Sequence, residues 1–145
     1  MQQKEERLEV FKALIESADR NSRRRVDTNV WYASLCTAVL TFDGFLSSLD
    51  TSPIHFLALP VCGIALCVLW RNSVIAFRDV SAAKFHYLQE IERKMELQPF
   101  ASEEKIYESR EVRPVTRFES AVPITFGLMF FAALAFSIFT MEFIF

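Results

Sequence analysis

The chain has 145 residues, 52% of them hydrophobic and 23% charged, with 15 phenylalanines and a net charge of −2. That length holds one domain, and such a composition means that apolar and charged residues occupy separate stretches. With 18 carboxylates against 16 Lys and Arg, the basic stretches are too diluted for a nucleic-acid surface, and three glycines in all exclude a phosphate-cradling loop.

Residues 1–28 are rich in helix formers, with Leu8, Phe11, Ile15 and Ala18 at spacings of three and four. This is one apolar stripe on a charged, amphipathic helix. Nothing between Arg25 and Trp31 breaks a helix, so the stripe runs into a first membrane span at 29–49 and predicts one helix of roughly 45 residues. The turn at 50–53, Asp-Thr-Ser-Pro, stops that helix and caps the next.

A second span covers 54–77 and contains Pro60 and Gly63, a combination that predicts a mild kink. Val74, Phe77, Ser81, Phe85, Leu88, Ile91 and Met95 then recur close to a heptad seam, so the helix continues through 78–98 until Pro99 ends it. Residues 99–120 form a cytoplasmic connector with Pro99 and Pro114. A third span occupies 121–145, with Pro123 in its first turn and a run of phenylalanines to the end. The fold class expected is all-α integral membrane: three transmembrane helices, the first two extended into the cytoplasm as a long antiparallel helical hairpin with coiled-coil character.

The basic residues set the orientation. Seven Lys and Arg fall in 1–28 and nine in 71–117, and none lies in 29–70 or in 118–145. Lys and Arg flanking membrane helices stay in the cytoplasm. The N-terminus and the 71–120 segment are therefore placed inside, and the 50–53 turn and the C-terminus outside. The first span serves as its own insertion signal, because about 28 polar and charged residues precede it, unlike a cleavable signal peptide.

If the hairpin turns near residue 51, residue i lies level with about 102 − i. That register sets Arg23 beside Asp79, Glu16 beside His86, Lys12 beside Glu90 and Glu9 beside Arg93, with Phe11 level with Ile91 and Leu14 with Leu88. Phe11, Ile15, Phe77, Phe85, Leu88 and Ile91 are the residues expected to pack the hairpin or an oligomer.

Ionisable side chains within spans are functional candidates, because charge in hydrocarbon is costly. Asp43, His55 and Glu142 all lie toward the outer face, Asp43 deepest, and form the candidate intramembrane polar or pore set. Arg23, Arg24, Arg25 and Arg71 are candidates for lipid head groups or for fixing topology. Trp70 reads as an interfacial anchor. Cys36, Cys62 and Cys67 read as small packing residues, and no catalytic, metal or cofactor motif is present. Small residues four apart (Ala33/Thr37/Thr41, Ser34/Ala38, Gly63/Cys67, Ala133/Ser137) let helices approach closely and favour homo-oligomers.

The stretch from Phe11 through Asp19, Arg20, Arg24 and Arg25 into the first span resembles the start of the RipA family of bacterial octameric membrane proteins. Trp70, Phe77-Arg78, Ser81, Lys84-Phe85, Ile91-Glu92 and Pro99-Phe100 resemble that family's segment after its second span, with Ser81 where the family has Asn and Phe77 where it has Tyr. Phe118-Glu119-Ser-Ala-Val122-Pro123 resembles the approach to its last span. The resemblance implies an octamer in the bacterial inner membrane, with a part in stress adaptation or growth inside host cells, and supplies no catalytic residue. A more distant likeness is to the two-span SLATT membrane effectors. The expected function is a non-enzymatic homo-oligomeric scaffold for membrane maintenance, partnered by the lipid bilayer. The alternative is an ion channel or pore-forming effector with Asp43 in its lumen.

Overall fold

The computed structural model describes residues 2–48, 53–93 and 116–144, and among these all regular structure is helical. Helix α1 spans Gln2–Ser47, α2 Pro53–Glu92 and α3 Thr116–Ile144. α1 is a continuous helix of 46 residues, as its uninterrupted helix formers predict. It closes where the Ser48 amide and hydroxyl both donate to the Phe45 carbonyl, at 3.1 and 2.6 Å. Pro53 opens α2, a position where its missing N–H costs no helical bond. Pro60 lies inside α2 without ending it.

α3 begins earlier than expected. Thr116–Ser120, assigned to the connector, are helical, which puts Pro123 in the helix interior rather than its first turn. Glu119 in the first turn favours this early start, since a carboxylate there meets the positive end of the helix dipole. The remainder of the connector, the end of the second helix beyond Arg93 and the 49–52 turn lie outside the described residues.

Two helical stretches, Leu57–Glu92 and Glu119–Met141, are long and apolar enough to cross a membrane. The expected first span is not among them: Asn29, Asp43 and its Ser and Thr residues dilute its apolar character. α1, at about 1.5 Å per residue, is roughly 70 Å long, more than twice a ~30 Å hydrocarbon core.

The chain divides into two compact units. In the first, the beginning of α1 packs antiparallel on the end of α2. Asn21 Nδ2 donates to Ser81 Oγ at 2.9 Å, and Lys84 Nζ donates to Ser17 at its carbonyl (3.0 Å) and hydroxyl (2.8 Å). Each pair of residue numbers adds to within one of 102, the register expected. Ser81 thus accepts a hydrogen bond from across the helix pair. Leu88 is fully buried, Phe11, Phe77 and Ile91 are half-buried, and Ile15 and Phe85 are largely exposed. Glu92 is buried as well.

The expected cross-helix charge pairing of Arg23 with Asp79 does not form. Arg23 holds Asp19 at 3.0 Å and Arg20 holds Glu16 at 3.7 Å, both one turn away on α1, while Asp79 sits with its neighbour Arg78 at 3.5 Å. Partners one turn apart need little extra ordering of the side chains, so local pairing competes well with pairing across helices.

In the second unit, α2 carries the core. Cys36, Cys67, Trp70, Val74 and Phe130 form its buried cluster, with Tyr32, Val39, Leu40, Ile64 and Phe126 packed around it. α3 runs antiparallel to α2: Trp70 meets Phe126, Cys67 meets Gly127, and Gly63 meets Phe130. A Cβ at position 63 would overlap the Phe130 ring, whereas one at Gly44 would meet nothing within 4 Å.

This contrast predicts that Gly63→Ala lowers the thermal stability of the detergent-solubilised protein, by an overpacking cost of about 1–3 kcal/mol. Gly44→Ala should stay within about 0.5 kcal/mol of the parent, and Phe130→Leu should recover part of the loss in the Gly63→Ala background. Equal melting temperatures for the two alanine variants would refute the packing.

Candidate functional site

The second unit places its polar side chains on one buried indole. Trp70 Nε1–H donates to Asn29 Oδ1 at 2.8 Å, across from α2 to α1. The Tyr32 ring stacks on the indole, with centroids 5.9 Å apart and planes 7° from parallel, and Phe126 of α3 closes the other approach at 5.8 Å and 47°. Ser73, one turn beyond Trp70, donates its hydroxyl to the Leu69 carbonyl at 3.0 Å. Its oxygen is then left to accept the Tyr32 hydroxyl at 3.4 Å. A single aromatic thus meets α1 through a hydrogen bond and a stack, and α3 through a ring contact.

Trp70 is therefore not the interfacial anchor expected from its place beside Arg71. It is 2% exposed, whereas Trp31 is 70% exposed. Its ring offers a large apolar body with one donor, which can be buried where an acceptor such as Asn29 lies opposite. Asn29, Tyr32 and Ser73 were not singled out by sequence. Register alone could have found Tyr32, which it sets level with Trp70.

One turn further from the basic end, Cys36 Sγ and Cys67 Sγ lie 3.9 Å apart in the core, while Cys62 is exposed on α2. The pair is one of thiol packing. Among the described residues no group of three metal-ligating side chains comes together.

The candidate polar set is dispersed along the helices. Asp43 is half-buried on α1. His55 falls in the first turn of α2 and Glu142 in the last turn of α3, and their side chains lie outside the described residues. Of the basic candidates, Arg23 is tied to Asp19, Arg24 is exposed, Arg25 is half-buried and Arg71 is exposed.

Two open grooves complete the second unit. One runs along α1, lined by Ala33, Ser34, Thr37, Ala38, Thr41 and Phe45. The Thr37 and Thr41 hydroxyls there donate to the carbonyls four residues back, each at 2.8 Å, so these two threonines ask for no outside hydrogen-bond partner. The other groove lies between α2 and α3, with Arg71 among its walls.

A family model described as the octameric membrane protein family (8xMP) matches residues 8–139. No curated protein and no solved structure matches the chain.

Trp70→Phe removes the donor and leaves the half-buried Asn29 amide oxygen without it. We expect a loss of about 1 kcal/mol in stability, the scale of one such bond within a membrane protein. Trp31→Phe should change stability by less than about 0.5 kcal/mol. Thermal denaturation of both variants in the same detergent checks the difference.

Proposed function

This chain belongs to the octameric membrane protein family, and from that membership we propose that it is a three-span subunit of a non-catalytic homo-octameric scaffold in a bacterial cytoplasmic membrane. α1 would supply the third span. Residues 27–47 of α1 share one compact unit with the two apolar helices, which supports this. The Lys- and Arg-rich segments 1–28 and 71–117 support an N-terminus in the cytoplasm and a C-terminus outside.

The observation that carries the scaffold reading is the open face of α1. Its small residues would let a second copy's helix approach closely, and its two threonine hydroxyls already donate within the helix. Covering those threonines leaves neither donor without an acceptor. Its partner is then a further subunit, and the bilayer surrounds the rest.

A channel is the second reading, resting on the carboxylate that Asp43 brings into an apolar segment. Asp43 and Thr41 are two residues apart, about 200° around the helix axis. A lumen lined by the open hydroxyl face would therefore not also present the Asp43 side chain, which favours the scaffold.

In a cysteine-depleted background, Ser22→Cys and Ser48→Cys lie at exposed positions, one before the expected 29–49 span and one at its outer end. If α1 crosses the membrane, an impermeant maleimide labels Ser48→Cys in spheroplasts and Ser22→Cys only after lysis. Labelling of both before lysis would remove the third span.

Native mass spectrometry of the purified protein in mild detergent should give one species of eight subunits. Ala38→Phe should reduce that species at least tenfold in favour of smaller ones. An unchanged octamer in Ala38→Phe would exclude the α1 face as the contact. In liposomes no ion flux is expected, and flux abolished by Asp43→Asn would replace the scaffold with the channel.

A further inference from the structure

The groove between α2 and α3 differs in kind from the one on α1. Its volume is about 300 Å³, and Ile64, Val68, Ile124, Gly127 and Phe131 make its walls apolar, while Arg71 supplies its one charge. Ile64, Val68 and Arg71 lie three to four residues apart on α2, one above another along a single face. The seven residues from Ile64 to Arg71 rise about 10 Å, a third of a ~30 Å hydrocarbon core. The groove is thus an apolar trough with a cation at the end from which the basic segment 71–117 departs.

Arg71 is the arginine that lines this groove. Arg20, Arg23 and Arg78 each hold a carboxylate. Among the described residues Arg71, like the exposed Arg24, has no hydrogen bond and no ion pair. Its direction is set by its neighbour: Trp70 is locked toward α1 and α3 by Asn29, Tyr32 and Phe126, so Arg71 leaves the helix about 100° around, where the groove opens. A planar guanidinium with five donors and no protein acceptor matches a phosphate oxygen pair.

We propose that this groove is a site for an anionic phospholipid, with an acyl chain lying between α2 and α3 and its phosphate held by Arg71. The site rests on the placement of α2 and α3 in the bilayer, and binds in the leaflet on the basic side of the protein. Charge complementarity selects the occupant. A second copy's apolar helix would leave the guanidinium at the rim without an acceptor, whereas a phospholipid fills the trough and neutralises the cation at once.

Gly127 lines the groove, so a larger residue there takes up its volume. A Cβ at this position would lie 3.7 Å from the Cys67 Cβ, an ordinary contact. Arg71 is exposed, and its replacement leaves packing untouched.

The test is lipid retention by the full-length protein, read by native mass spectrometry in mild detergent with added phosphatidylglycerol or phosphatidylcholine. The parent protein should keep one phosphatidylglycerol per subunit in preference to phosphatidylcholine. Arg71→Gln should weaken that preference about tenfold, the scale of one charge-assisted bond. Arg93→Gln, which removes an exposed arginine that does not line the groove, should leave it unchanged, and Gly127→Leu should lower retention of both lipids. Equal loss in Arg93→Gln and Arg71→Gln would reduce the effect to general attraction of basic residues for anionic lipid and overturn the site. So would equal retention of the two lipids by the parent, or a Gly127→Leu protein that loses its octamer while keeping its lipid. Should Gly127→Leu fail to fold, the Arg71→Gln and Arg93→Gln pair decides alone. Recovery of the chain in the soluble fraction without detergent would instead overturn the membrane placement itself.

Discussion

The indole of Trp70 is the contact on which the second unit depends. α2 has apolar residues around most of its circumference in its first half, so hydrophobicity alone leaves its rotation undetermined. A hydrogen bond to Asn29, a stack on Tyr32 and a tilted contact with Phe126 remove that freedom together. Once Trp70 points into the core, positions three, four and seven residues away along that face are also settled. Gly63, Cys67 and Val74 then face neighbouring helices, while Arg71 and Val68 face the groove with α3.

Such devices matter more here than in a water-soluble bundle. Lipid tails are as apolar as leucine, so helices in a bilayer gain little from burying apolar surface against each other and rely on close approach and interhelical hydrogen bonds. Close approach appears at Gly63 beneath the Phe130 ring, at Gly127 against Cys67, and between the Cys36 and Cys67 sulfurs 3.9 Å apart. In the first unit the means change to Asn21–Ser81 and Lys84–Ser17, which join α1 and α2 where the sequence is densely charged. Surface ion pairs contribute little there, since those formed at Asp19 and Glu16 stay on their own helix.

Much of this architecture was legible in the residues. The absence of a helix breaker between Arg25 and Trp31 announces one long α1, and the antiparallel register follows from placing a turn near residue 51. What could not be read was which of two tryptophans enters the core. Trp70, although followed by Arg71, is held inside by the Asn29 acceptor and the Tyr32 and Phe126 rings, while Trp31 between Val30 and Tyr32 stays exposed. The charge pairing was misjudged for a related reason: register identifies residues at the same level, but a partner one turn away on the same helix is always nearer. The groove at Arg71 was invisible because it belongs to two segments about 55 residues apart, related only through α2–α3 packing. Thr116–Ser120 were missed as helix because a proline at 123 was taken to mark a first turn.

The two open faces of the second unit follow from the same packing, yet differ in what they can accept. The α1 face has mostly small side chains, threonine hydroxyls bonded to their own helix and no cation, so a helix can cover it without desolvating a charge. The α2–α3 trough has larger apolar walls and ends in a guanidinium with no partner among the described residues, so covering it with an apolar helix would desolvate that charge. Protein contact and lipid contact are thereby assigned to different sides of one subunit by a few residues: Ala38 and the threonines on one, Arg71 and Gly127 on the other. An assembly of eight copies needs such a division, because a subunit whose every membrane face were equally adhesive would have no reason to stop at a closed oligomer.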